Sequence, residues 1–347
     1  MTKRSPGRRL RSQLGGAVRR YRGLRLRSEH ARPRASASAE VDLARAAALN
    51  RIDVSVQNAG STAPTFAHVA SQVVSAAQFV DPSFERLCRI MFPDAVTIPW
   101  GHSHATVAVP HRKLWEFVYV MKAAEQHAKL ESGGGRALGF GVGQEPIPAA
   151  LARHGLSVLA TDLDARDAQS AGWAATGQHM SGLEALCRPE VVSDEVLRRH
   201  VQTRQVDMNA VPDDLGRFDL IWSACALEHL GSPKAGLEFV LSTLELLEPG
   251  GVAVHTTELE LTPRAETADY GHLAVYRVAD LDLLAERVLG KGFEISTNWY
   301  VSLDTPADRW ISLPPHPQTD PAHLKLMIGD SVSTSVGLLI RRPSSGG

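Results

Sequence analysis

A glycine-rich turn constrains this chain more than any other feature. The run Leu138-Gly139-Phe140-Gly141-Val142-Gly143-Gln144-Glu145-Pro146 comes after a short apolar strand and opens a helix with Ile147, Ala150 and Leu151 on one stripe. Pro146 falls in the first turn of that helix, where a missing N–H is no loss. Val158-Leu159-Ala160-Thr161-Asp162 then reads as a second strand closed by a carboxylate. Strand, glycine turn, helix, strand and terminal acid is how an open α/β sheet holds an adenosine-containing cofactor.

The glycine spacing narrows the cofactor. Dinucleotide binders use G-x-G-x-x-G, in which the third glycine lets the helix pack close beside the pyrophosphate. Counted from Gly139 that position is Gln144, and counted from Gly141 it is Pro146. The spacing left is G-x-G-x-G, which lets backbone approach a ligand that carries no phosphate. It suits S-adenosylmethionine better than NAD. With 28 glycines in the chain, the turn alone is a weak signal.

Three later segments give it weight by their order: Gln205-Val206-Asp207-Met208-Asn209, then Phe218-Asp219-Leu220-Ile221-Trp222-Ser223-Ala224-Cys225-Ala226-Leu227-Glu228-His229, then Leu246-Leu247-Glu248-Pro249-Gly250-Gly251-Val252-Ala253-Val254. Together with the glycine turn they resemble the motif series of class I S-adenosylmethionine-dependent methyltransferases, over residues 134–300. The resemblance implies a Rossmann-like, doubly wound, mostly parallel seven-stranded α/β sheet with a final antiparallel strand, formed by residues 293–301 and 336–341. It implies cofactor contacts from Gly139, Gly141 and Gly143, ribose hydroxyls on Asp162 with Asp164 as competitor, the adenine amino group on Asp207 with Met208 beside the ring, and Ser223 at the end of the fourth strand. The family's acidic residue two before the first glycine is Ala137 here, and Glu145 is the nearest carboxylate able to hold the methionine ammonium. A first-turn acid favoured by the helix dipole is the alternative for Glu145.

The Asn-Pro-Pro-aromatic signature of enzymes that methylate planar amino groups is absent after Trp222, so an oxygen or carbon acceptor is expected. Methyl transfer to a hydroxyl needs a base with a pKa near about 7. His229 with Glu228 is one candidate set and His255 with Glu258 another, although either histidine could simply pack the core. The turn taken with Ala253-Val254-His255-Thr256-Thr257-Glu258 is also similar to a bacterial subgroup acting on cell-surface or secondary-metabolite glycans, which implies a sugar or other small-molecule acceptor.

Cys88, Cys187 and Cys225 lie far apart and no paired Cys or His spacing recurs, so neither a metal site nor a disulfide framework is expected, and a reducing compartment is. No apolar run approaches the ~20 residues that span a bilayer, and the first thirty residues hold no secretion-signal core. A cytoplasmic protein is expected. The net charge of −1 hides an asymmetry: residues 1–39 hold 12 Lys and Arg against the one acid Glu29, hence +11, leaving −12 for the rest. Leu10, Leu14, Val18, Tyr21 and Leu24 recur at helical spacing in this tail, so it could lie on an anionic membrane as a basic amphipathic helix. An acidic body makes nucleic acid the last choice, and a solvated tail without a role is the plainest one.

Domain organisation is expected as a basic, disordered tail over residues 1–50, a helical extension or cap over 51–130 and the cofactor-binding domain over 131–345. Phe84, Leu87, Ile90 and Met91 share one helical face of the extension, and residues 111–127 form a second helix with Leu114, Phe117, Val118, Met121 and Ala124 inward. His102, His104, His111, Arg112 and Trp115 are its notable polar and aromatic residues. Residues 264–277, with Tyr270, His272, Tyr276 and Arg277, read as a loop over the acceptor edge. Two other function classes stand beside the methyltransferase: an NAD-linked oxidoreductase, opposed by Gln144 and Pro146, and an inert cofactor-binding scaffold, permitted by Ala137.

Overall fold

The computed structural model describes residues 34–93, 97–100, 103–106, 109–128, 130, 134–164, 178–317 and 319–344. Residues 1–33 of the expected basic tail, including Leu10 to Leu24, and His102 lie outside them. The chain divides into two compact units, residues 1–43 and 44–347. The described part of the first is the opening of helix α1 (Arg34–Leu49), with Val41 and Leu43 exposed. Helix α1 thus occupies the last part of the residues 1–50 expected as a disordered tail.

In the second unit the elements run α2 (Ser55–Asn58), β1 (Ser71–Val73), α3 (Pro82–Met91), β2 (Thr97–Trp100), β3 (Ser103–Thr106), α4 (Arg112–His127), β4 (Arg136–Phe140), α5 (Ile147–Arg153), β5 (Ser157–Asp162), α6 (Asp194–His200) and β6 (Val201–Gln205). Next come β7 (Phe218–Ala224), α7 (Pro233–Thr243), β8 (Leu247–Glu260), β9 (Ala268–Asp269), β10 (Ala274–Val275), α8 (Val278–Gly290), β11 (Glu294–Ile295), β12 (Thr297–Asn298), α9 (Pro306–Arg309), β13 (Ile311–Ser312), β14 (Lys325–Ile328) and β15 (Ser331–Arg341). The main sheet is ordered β12-β1-β15-β8-β7-β4-β5-β6. Strands β6, β5, β4, β7 and β8 are parallel, and β15 returns antiparallel on β8 from Ser333 opposite Glu260 to Arg341 opposite Val252. That is the expected doubly wound sheet with an antiparallel closing strand.

The strand count exceeds seven. Beyond β15, where one further strand was expected, three short ones share its edge: β11 pairs at Ile340 and Arg341, β1 at Val336 and Gly337, and β14 from Ser331 to Thr334. Only Glu294 and Ile295 of the segment 293–301 pair with β15. Thr297 and Asn298 pair instead with β1, so the N-terminal extension contributes a strand to the sheet. An 11-residue edge is longer than any of these pieces, and unpaired edge amides favour its full occupation.

The extension also differs from a cap. Asp81 caps α3 by accepting from Ser83 N at 2.8 Å, with Pro82 at the first helical position, and Phe84, Leu87, Cys88 and Met91 are buried. Helix α4 buries the expected Leu114, Phe117, Val118, Met121 and Ala124, and also Trp115, Tyr119, Val120 and Ala123. It is covered almost all round because it lies between α3 and one face of the sheet, packing on β7, β8 and β15. A Cβ on Gly337 would fall 2.4 Å from the Tyr119 ring, so the absent side chain in β15 is what admits this helix. The strands β2 and β3 form an antiparallel hairpin with His104 opposite Pro99, an element the helical expectation did not contain. No helix among the described residues is long and apolar enough to cross a membrane.

Candidate functional site

Ligands of open α/β sheets bind beyond the carboxyl ends of the parallel strands, and two unlike clusters occupy those ends. The first surrounds the turn after β4. Gly141 and Gly143 have φ of +58° and +51°, the left-handed region where glycine is at ease. A Cβ on Gly141 would lie 2.9 Å from Ala226 Cβ and 3.4 Å from Met208 Sδ. The turns after β4, β6 and β7 thereby converge around an atom-sized gap that only glycine leaves. Asp162 ends β5 beside it: Oδ2 accepts from Gly143 N at 3.2 Å and from Met180 N at 2.9 Å, and Oδ1 from Leu163 N at 2.8 Å. Asp164 lies farther along, half-buried. Asp207 is exposed and its Oδ1 accepts from Asn209 N at 2.8 Å, a bond that stabilises the turn after β6.

Three residues expected to touch cofactor have other work. Gly139 is inside β4, where a Cβ would lie 2.3 Å from the Trp222 ring, so it is glycine for packing. Ser223 is fully buried and its Oγ is hydrogen-bonded to His255 Nδ1 at 2.8 Å. Glu145 is buried, accepts a hydrogen bond from Trp222 Nε1, and its carboxyl is pushed up to about 8 chiefly by burial. It precedes Pro146, the N-cap of α5, and so is not the first-turn acid of the alternative reading.

The second cluster lies at the ends of β7 and β8. Cys225 succeeds β7 with φ +50°, a conformation unusual for a non-glycine residue that turns the chain into the 228–229 segment. Glu228 is 2% exposed; Thr257 Oγ1 donates to its Oε2 at 3.1 Å, while Oε1 has no hydrogen-bond partner among the described residues. Burial, helped by the nearby Glu258 and Glu116 charges and opposed by Lys113, pushes the Glu228 carboxyl up to about 7. Glu258 accepts from Ser333 Oγ at 2.6 Å and is ion-paired with Arg112. Arg112 Nη1 also reaches Ser335 Oγ at 3.2 Å and Glu116 Oε1 at 3.5 Å, and Lys113 Nζ lies 3.1 Å from Glu116 Oε2. The Glu258 and Glu116 carboxylates keep the Arg112 guanidinium charged despite its burial. A thiol or carboxylate atom from each of Cys225, Glu228 and Glu258 lies within 4.8 Å of the others, a proximity invisible to spacing rules. Arg112 and Lys113 beside them make that cluster unfavourable for a further cation.

Neither histidine is placed as a base. Side chains alternate along β8, so His255 faces away from Glu258 and toward α7, where the Phe239 ring meets it edge-on at 5.7 Å. It is fully buried and its pKa is lowered to about 3 by burial. His229 Nδ1 donates to the His272 carbonyl at 2.6 Å, and burial lowers its pKa to about 4. The 264–277 segment is partly structural too. Tyr276 is buried beside Leu227, and Arg277 pairs with Asp280 at 2.7 Å at the start of α8. Sequence reasoning missed Lys113 and Glu116 and gave Arg112 no role. Their signal was the Arg112–Glu116 spacing of four, which puts both on one helix face.

No protein-family model matches the sequence, and no curated protein is similar to it. Among solved structures, the chain is similar to an O-methyltransferase family protein from Burkholderia thailandensis, at 15% identity and TM-score 0.35, over 68% of this chain and 60% of that one. It is similar to the glycopeptide N-methyltransferase MtfA complexed with sinefungin, at 14% identity and TM-score 0.37, over 68% and 89% of the two chains. The CcbJ methyltransferase from Streptomyces caelestis shows 16% identity and TM-score 0.38 over 67% and 89%. The chain spans less than two thirds of the length of the first of these.

Proposed function

We propose that this protein is an S-adenosylmethionine-dependent methyltransferase that methylates a hydroxyl of a small molecule or sugar. The observation that carries this reading is the approach of Met208 and Ala226 to Gly141, with Asp162 at the end of the neighbouring β5 bound to Gly143 N, and an acid-rich cluster at the ends of β7 and β8. When bound, the cofactor supplies a methyl group on a positively charged sulfur. The residues present fit such a group: the Gly141 backbone, the Met208 side chain and Ala226 border a space a Cβ would fill, and Asp162 offers the carboxylate for ribose hydroxyls. Asp207 and Met208 are assigned to the adenine; Glu145, buried against Trp222, is left out of the ammonium contact.

On the acceptor side, a hydroxyl methylated by that group would give up its proton, and a carboxylate of the second cluster would take it. Glu228 is that carboxylate, because it is near a neutral pKa and has an oxygen to spare. Holding acceptor and methyl donor in line supplies much of the rate. Calorimetric titration with S-adenosylmethionine, S-adenosylhomocysteine and NAD tests the cofactor assignment. Micromolar binding of the first two, lost in Asp162→Ala, is expected; binding of NAD alone would overturn it in favour of an oxidoreductase.

A further inference from the structure

We infer that Glu228 Oε1 and the charged first turn of α4 form an acceptor socket that takes an uncharged polyhydroxylated molecule and refuses anionic ones. This deepens the methyltransferase reading and rests on it. A buried carboxylate oxygen without a donor is costly unless a ligand supplies one, and Glu228 Oε1 is such an atom. Among the described residues, the side-chain donors of the surrounding cluster have other partners. Arg112 is held by Glu258, Glu116 and Ser335, and Lys113 by Glu116. Thr257 already serves Oε2, and Ser333 serves Glu258.

Charge decides which donor fits. With Glu228 ionised, the carboxylates of Glu116, Glu228 and Glu258 face the cations of Arg112 and Lys113, so the socket carries one net negative charge. An acceptor carrying a carboxylate or phosphate would meet that charge with both cations committed, and in a poorly solvated site the repulsion is not screened. A hydroxyl donates to Oε1 and adds no charge. Glu258 is then a specificity residue rather than a reacting one: its pairing with Arg112 removes the guanidinium from the acceptor's reach. Cys225, half-buried at the edge of the cluster, is the surface a ring or carbon chain would rest on.

The test uses the full chain saturated with S-adenosylhomocysteine, probed by saturation-transfer NMR with the methyl glycosides of glucose, galactose, mannose and rhamnose and with the corresponding glucuronate and galacturonate. Uncharged glycosides are expected to bind, with affinity at least roughly 10-fold weaker in Glu228→Gln, and the uronates on the order of 100-fold weaker still in the wild type. Glu258→Gln, which frees Arg112, is expected to gain uronate binding, and Glu258→Gln combined with Arg112→Met to lose it again. Uronate binding equal to glycoside binding in the wild type, no glycoside binding at all, or an unchanged Glu228→Gln would each overturn the inference. Retained S-adenosylhomocysteine binding in each variant reports a folded chain. Failure to bind S-adenosylhomocysteine in the wild type would overturn the methyltransferase reading instead.

Discussion

The two clusters at the sheet's carboxyl edge are built in opposite ways. Around Gly141 the groups are short turns, each at the end of its own strand, and the bonds that fix Asp162 come mainly from backbone N–H groups. Around Glu228 the groups are side chains, and the pairs that hold them join α4 to distant β8 and β15, as in Arg112 with Ser335, 223 residues away. A site made of backbone can be recognised from local spacing and tolerates side-chain change. A site made of long-range ion pairs cannot be recognised that way and depends on every partner, because removing one leaves a buried charge uncompensated.

The contrast can be broken by substitution. The largest effect is expected from Glu228→Gln, with kcat reduced roughly 10²- to 10⁴-fold and S-adenosylhomocysteine affinity unchanged; equal loss of both in calorimetry and turnover would merge the two clusters into one. Arg112→Met should next cost about 3–5 kcal/mol of unfolding free energy in urea, since Glu258 and Glu116 lose their shared cation. A loss below about 1 kcal/mol would mean that the ion pairs behave as surface ones. Asp162→Ala should weaken cofactor binding by about 1.5–3 kcal/mol, the worth of charged hydrogen bonds, with unfolding affected less than in Arg112→Met.

Acidity separates the candidate bases. Glu228 must be ionised to take a proton, and its pKa is raised to about 7, so kcat/KM should climb tenfold per pH unit below about 7 and level off above it. The raised pKa also means that the folded chain retains this proton while the unfolded chain loses it at the ordinary 4.5, so Glu228 lowers stability as pH rises from about 4.5 to 7 and no further. A rate plateau already reached near pH 5 would instead point to His229, lowered to about 4. The smallest effect is expected from His255→Asn, with kcat within roughly threefold of wild type, because that ring contacts Ser223 and Phe239 inside the core.

Legibility in the sequence divides along the same line. The glycine turn and the strand that Asp162 ends are readable because they rest on local periodicity and turn chemistry, while the parallel sheet with its antiparallel neighbour follows from the resemblance in the order of the segments. Gly139 misleads because its lack of a side chain serves the Trp222 ring, a neighbour on another strand. His255 misleads because the two-residue alternation that turns Glu258 toward Arg112 turns His255 the other way. The extension resembles a cap in sequence because helix periodicity shows which face of α4 is apolar, not that the sheet is what covers it. Nothing in the Ser71–Val73 triplet marks it as a strand of the main sheet; pairing chose it.

That triplet, β1, is tied to a strand made far later in the chain. Ser71 Oγ donates to Leu339 O across 268 residues, and Leu339 N donates back to Ser71 Oγ at 2.9 Å. Such a closure carries a large loop entropy and a high contact order. During synthesis β1 must therefore wait unpaired until β12 and β15 have been made, a stretch in which its edge is exposed to wrong partners.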